Sequence, residues 1–153
     1  MELDDFRVRH MIKALADCAV ETSSKAMQEM INRIVDTTKE NGGSDKVDIW
    51  FAEAICNLMK HTVNHVLSSE NFRSIGNIPT IPEEHVQLAS AILEIAADKF
   101  QEEYLGFVTL KDLQSPEEHI KALKAVEIYL TKETYSEFCE YVYNKLWEKE
   151  NGL

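Results

Sequence analysis

Residues 115–131 read SPEEHIKALKAVEIYLT. Ser115 is a helix N-cap, Pro116 suits the first helical position, and Glu118 stands where a capping box needs it. Ile120, Leu123, Val126 and Leu130 then recur at helical spacing, as one buried face of an amphipathic helix requires. The same period extends in both directions. Downstream, Thr134 with Glu137 repeats the capping-box spacing, and Phe138, Cys139, Val142 and Leu146 form an inward stripe. Upstream, Thr80-Ile81-Pro82-Glu83 opens a helix with Val86, Ala89, Ile92, Leu93, Ala96 and Phe100 on its core face. Gly106 is expected to stop that helix, leaving Phe107-Val108-Thr109-Leu110 as a loop with Phe107 folded back on the last turn.

Farther upstream, Ile49, Ala52, Ile55, Cys56, Met59, Val63 and Val66 share a face. Asn41-Gly42-Gly43 closes the preceding helix, and Ser44-Asp45 offers the next N-cap. The first segment places Leu3, Phe6, Met11, Leu15, Cys18, Met27, Met30, Ile31 and Ile34 inward. A bend or break is expected at Thr22-Ser23-Ser24, where three hydroxyls compete for backbone hydrogen bonds. Helices are thus predicted over residues 3–22, 24–40, 46–67, 82–105, 116–131 and 134–150. Residues 68–82 are irregular, because Pro79 and Pro82 forbid a long helix there. The expected fold is all-α: a single-domain bundle, residues 1–153, of five or six amphipathic helices with no sheet.

Composition agrees. Five glycines and three prolines in 153 residues are too few for the frequent turns of an all-β sandwich or barrel. Apolar residues make up 44%, enough for a packed core and against intrinsic disorder. Sixteen Lys and Arg face 27 Asp and Glu, a net charge of −11. That excludes a protein gripping nucleic-acid backbone, which needs clustered cations. Residues 82–153 hold 15 acids and seven bases, and all four arginines precede position 74, so a two-toned surface is expected. Arg7, Arg9, His10 and Lys13 form a small basic patch that Asp4, Asp5 and Asp17 dilute, as on a salt-paired surface helix.

The chain opens MELDDFRVRH, without the basic and apolar regions of a secretory signal. No apolar run reaches the length of a membrane span. Cys18, Cys56 and Cys139 are widely spaced among apolar neighbours, the pattern of buried free thiols in a cytoplasmic protein.

His61 and His65, four residues apart, share one helix face and are the candidate divalent-metal ligands. A third ligand from His10, His85, His119 or an acid would complete a metal-binding protein or metal-dependent hydrolase. The Glu of the zinc-protease motif His-Glu-x-x-His is missing. No Glu-x-x-His exists for a di-iron bundle. No Gly-x-Ser-x-Gly, P-loop or dinucleotide fingerprint is present, so no catalytic residue and no obligatory cofactor is assigned.

Glu83-Glu84-His85-Val86-Gln87, followed by Glu94 and Asp98, resembles in part the magnesium motif of the all-α nucleotide pyrophosphohydrolases. That motif is Glu-Glu-x-x-Glu on one helix and Glu-x-x-Asp on the next. Here Gln87 replaces the third Glu, Glu94 and Asp98 are four apart, and both halves fall on one helix. The family's sites are not carried over, and Glu84, Gln87, Glu94 and Asp98 read as a solvated face.

Six of the 13 aromatics lie between positions 129 and 147: Tyr129, Tyr135, Phe138, Tyr141, Tyr143 and Trp147. They cover too much of the last helix for one core face. Tyr and Trp suit interfaces, where an apolar ring and a polar tip both find partners. The candidate interface is Tyr135, Tyr141, Tyr143 and Trp147 with Glu133, Glu137 and Glu140. The expected function is a non-enzymatic acidic protein–protein interaction module, an inhibitor or regulator of a nucleic-acid-binding protein with a basic surface. The expected partner is that protein, with no direct contact to nucleic acid or membrane. Lys121, Lys124, Lys132 and Lys145 interrupt the acidic half, which counts against outright mimicry of nucleic acid. The alternatives are metal chemistry at His61 and His65, or a homo-oligomeric subunit joined through the C-terminal helix.

Overall fold

Helical periodicity becomes five helices and no strand among the residues that the computed structural model describes: 6–43, 46–66, 86–132 and 137–152. They are α1 (Phe6–Glu40), α2 (Ile49–Val66), α3 (Val86–Lys111), α4 (Pro116–Thr131) and α5 (Glu137–Glu150). The spine is the pair α1 and α3. Each packs on the other and on α2, α4 and α5. Lys13 reaches the Thr131 carbonyl and Ser24 reaches that of Leu123, so α4 runs antiparallel to α1. Cys56 lies beside Tyr104 and Lys60 beside Asp98, so α2 runs antiparallel to α3.

The expected break in the first helix is absent, and α1 continues through Thr22-Ser23-Ser24. Ser23 and Ser24 are buried. Ser24 accepts from Gln28 Nε2 at 3.0 Å and lies 3.4 Å from the Leu123 carbonyl of α4. The hydroxyl that was expected to compete with the helix is used between helices instead. The inward stripe of α1 is also turned from the expected one. Leu15, Met27 and Ile31 are buried as expected, but Val8, Ile12, Ala16, Ala19, Val20 and Val35 are buried too. Met11, Cys18, Met30 and Ile34 are only half-buried, which corrects the reading of Cys18 as a core thiol. Leu3 lies outside the described residues.

Gly106 does not end α3. The helix runs on to Lys111, and the expected loop Phe107-Val108-Thr109-Leu110 is its last turn. A glycine inside a helix costs about 1 kcal/mol relative to Ala. Burial of Val108, 1% exposed, outweighs that, since burying a Val contributes about 1.5–3 kcal/mol. The chain leaves the helix at Asp112 (φ 50°), a left-handed residue other than glycine. Gly42 (φ 73°) does close α1 as expected.

The other starts differ in detail. Asp48 caps α2, its carboxylate accepting from the Phe51 amide at 3.1 Å, so the helix begins at Ile49 and not near residue 46. Ser115 caps α4, accepting from the Glu118 amide at 3.2 Å, with Pro116 in the first turn. The capping residues expected at Ser44-Asp45, Thr80 and Thr134 lie outside the described residues. The core faces of α3 and α5 are buried as the spacing indicates: Val86, Ala89, Ile92, Leu93, Ala96 and Phe100 on one, Phe138, Cys139, Val142 and Leu146 on the other. No helix among the described residues is long and apolar enough to cross a membrane.

Candidate functional site

Between α3, the end of α4 and the start of α5 lies a cleft of about 420 Å³. Its base is apolar, from Leu130 and Phe138, both buried. Tyr129 and Tyr141 line it, with Lys99, Lys132, Glu103 and Glu137. Tyr129 is 54% exposed. Lys99 is tied inside the fold: its Nζ lies 3.1 Å from Glu103, 3.7 Å from Glu102 and 4.6 Å from the Tyr141 ring centre. Partial burial acts against its charge, but Glu103, Glu102 and Tyr141 outweigh that and hold its pKa above the ordinary value. Lys132 covers Tyr129 at 5.4 Å. Glu137 is exposed and has no ion pair or hydrogen bond among the described residues.

The outward groups of α5 are largely engaged within the chain. Arg9 makes a 2.8 Å ion pair with Glu140 and stacks 4.3 Å over Tyr143. Tyr141 lies under Lys99 and, at 5.7 Å, Lys145. Tyr141 and Tyr143 are half-buried, while Trp147 remains 47% exposed. Of the expected interface, then, Tyr141, Tyr143 and Glu140 serve the fold. Trp147 and Glu137 face solvent. Tyr135 and Glu133 lie outside the described residues.

His61 and His65 are both in α2, and His61 is exposed. The His65 side chain and all of His85 lie outside the described residues. His10 is exposed on α1. His119 is fully buried and already engaged. Among the described residues, no three His, Cys, Asp or Glu side chains come together. Gln87, Glu94 and Asp98 are exposed along α3, and Glu84 lies outside the described residues. Asp98 has its pKa raised by partial burial and by Glu94, with Lys60 opposing.

His119 is the buried polar group that periodicity could not foresee. Its Nε2–H donates to the Leu113 carbonyl at 3.2 Å, which leaves Nδ1 to accept from the Tyr104 hydroxyl at 2.7 Å. The tautomer follows from that carbonyl, which can only accept. Burial pushes the His119 pKa down against the nearby carbonyls and carboxylates, and burial raises that of Tyr104. The pair ties α3 to α4 at the end where the Val47 amide donates to the Gln114 carbonyl at 2.7 Å. With both rings shut off from solvent, the pair is a structural clasp. Cys56 is buried, and that burial pushes its thiol up to about 12, which makes it a poor nucleophile.

Compared with known proteins, the chain matches no family model, no curated protein and no solved structure at a significant level.

Proposed function

We propose that this protein is a non-enzymatic helical module that acts by binding another protein, with the cleft between α3, α4 and α5 as its contact site. The observation that carries this reading is the cleft itself. It combines an apolar base at Leu130 and Phe138, an exposed aromatic wall at Tyr129 and an exposed carboxylate at Glu137. Apolar centres with polar rims are the anatomy of protein contact sites. Glu137, exposed on a chain of net charge −11, favours a basic element on the partner and steers its approach. Inhibition or regulation of a nucleic-acid-binding protein is the form of this activity that fits such a partner.

The test is affinity capture by the full chain from its native lysate after nuclease treatment, followed by a salt wash. A near-stoichiometric protein that survives nuclease and is released by salt is expected. A bait that retains nothing above background would contradict the reading.

A further inference from the structure

One outward stripe on this acidic chain carries no charge. Helix α2 turns Ala52, Ile55, Cys56 and Met59 into the core. Its other side exposes Trp50, Ala54, Asn57, Leu58 and His61. Trp50 is 77% exposed and Leu58 52%. These positions recur every three or four residues, so they share one face of the helix. The stripe contains no Asp, Glu, Lys or Arg, and Glu53 and Lys60, of opposite sign, lie along one edge of it. The exposed sides of the other helices carry charged residues: Glu21 and Lys25 on α1, Glu94 and Asp98 on α3, Lys121 on α4, Glu140 on α5.

Charge and spacing together indicate what covers this stripe. The chain has a net charge of −11. A basic partner is drawn to the carboxylates of the other faces, and an uncharged stripe gives it nothing to pair with. Two copies of the chain repel each other, and they approach most easily where charge is missing. The spacing is self-complementary. Trp50, Ala54 and Leu58 form an i, i+4, i+8 ridge with the small residue in the middle. Ridges of that period interdigitate in the commonest mode of helix packing. Trp50 and Leu58 stand equally far from Ala54, so antiparallel pairing about a two-fold axis at Ala54 sets Trp50 of each copy against Leu58 of the other. Ala54 then meets Ala54, where small side chains let the helices come close. A two-fold interface requires such a self-complementary patch.

We propose that the outward face of α2 pairs with a second copy of this chain, Trp50 against Leu58 across a two-fold axis at Ala54. The pairing is independent of the cleft, which lies between α3, α4 and α5. Three apolar residues per copy fall short of a standard interface of about 1,600 Å², so the dimer is weak, with a dissociation constant on the order of 100 µM. Salt strengthens it by screening the repulsion between like-charged copies, the reverse of its effect on a partner drawn to Glu137. The same axis brings Glu53 toward its own copy, which adds to that repulsion.

The experiment is sedimentation equilibrium of the full chain from about 10 to about 1,000 µM, a range that brackets the expected constant, at low and high salt. The expected result is a monomer–dimer equilibrium that tightens with salt and with Glu53→Gln. The variant carrying Trp50→Ser and Leu58→Ser keeps the net charge and changes only exposed side chains, so it is expected to fold, as circular dichroism will check. It should weaken the dimer at least tenfold, while Trp147→Ser, an exposed aromatic outside the stripe, leaves it unchanged. A chain that stays monomeric throughout the range would overturn the proposal. A dimer that survives the double substitution, or that salt dissociates, would place self-association on another face and overturn it equally. Capture of a different protein through the cleft is unaffected by any of these results.

Discussion

Helices α4 and α5 border the same cleft and bury similar apolar stripes, yet their outward faces are used differently. On α5, Glu140 and Tyr143 are held by Arg9, and Tyr141 is covered by Lys99 and Lys145. On α4, Lys121 and Ile128 have no such partner among the described residues, and Lys124 offsets Glu127 of the same helix. Exposed aromatics and charges therefore do not have one meaning. Glu140, Tyr141 and Tyr143 fasten α5 to the bundle, while Trp147 and Glu137 face solvent. The outward groups of α4 add nothing to its attachment, which comes from Leu123, Val126 and Leu130 and from the His119 clasp.

Attachment from the core sets the largest effect. Leu123 is fully buried, so Leu123→Ala should destabilise the fold by about 2–5 kcal/mol in urea denaturation. A smaller loss would mean that α4 is held chiefly by something outside its core stripe. Next comes the clasp. Tyr104→Phe removes the donor to His119 Nδ1 and leaves a buried acceptor unpaired, at a cost of about 1–3 kcal/mol. No change would mean that His119 finds another donor.

The clasp also gives α4 a pH dependence. His119 has a folded pKa below its ordinary 6.5, so the unfolded chain takes up its proton first. Its contribution is fully present above pH 6.5 and is lost as pH falls from there toward the folded value, at up to about 1.4 kcal/mol per pH unit. Glu127, with its pKa raised by burial and Glu21, acts with the opposite sign. Its ionised form is penalised in the fold, and that penalty is relieved as pH drops through its raised value. Unfolding midpoints should therefore fall as pH drops below about 6.5, with the fall opposed by Glu127. A midpoint that stays flat from 7.5 to 5.5 would remove His119 from the account.

The smallest effects sharpen the contrast directly. Arg9→Met loses the Glu140 pair and the stack on Tyr143. Both are partly exposed, so the expected cost is about 0.5–1.5 kcal/mol, reduced by salt. Lys121→Met should change stability by less than about 0.5 kcal/mol, because it leaves no partner behind. Equal losses at both positions would erase the distinction between the two faces.

Element type and most core positions were legible because capping boxes and a 3.6-residue period are local signals. Pro116 after Ser115 marks α4 without help from the rest of the chain. The misreadings arose where tertiary contacts overrode local preference. Ser24 stays helical because the Leu123 carbonyl of α4 meets it. Gly106 stays helical because Val108 is buried beyond it. The aromatics of residues 129–147 drew attention to the right end of the molecule. Which of them are spent inside the fold depended on Arg9 and Lys99, more than 40 residues from Tyr143 and Tyr141 in sequence. The lysines of α4 were visible as interruptions of the acidic half. Two of them meet groups of their own segment three residues away, Lys124 at Glu127 and Lys132 at Tyr129. His119 reads as a polar first-turn residue until Tyr104 is placed beside it.

The cleft as a protein contact site is tested most directly by capture with paired baits. The wild-type chain is compared with a variant carrying Tyr129→Ala and Glu137→Lys, both exposed positions whose change should leave the core intact. The account predicts a near-stoichiometric protein on the wild type and at least a tenfold loss on the variant at matched helicity. Equal recovery of the same protein on both baits would contradict it.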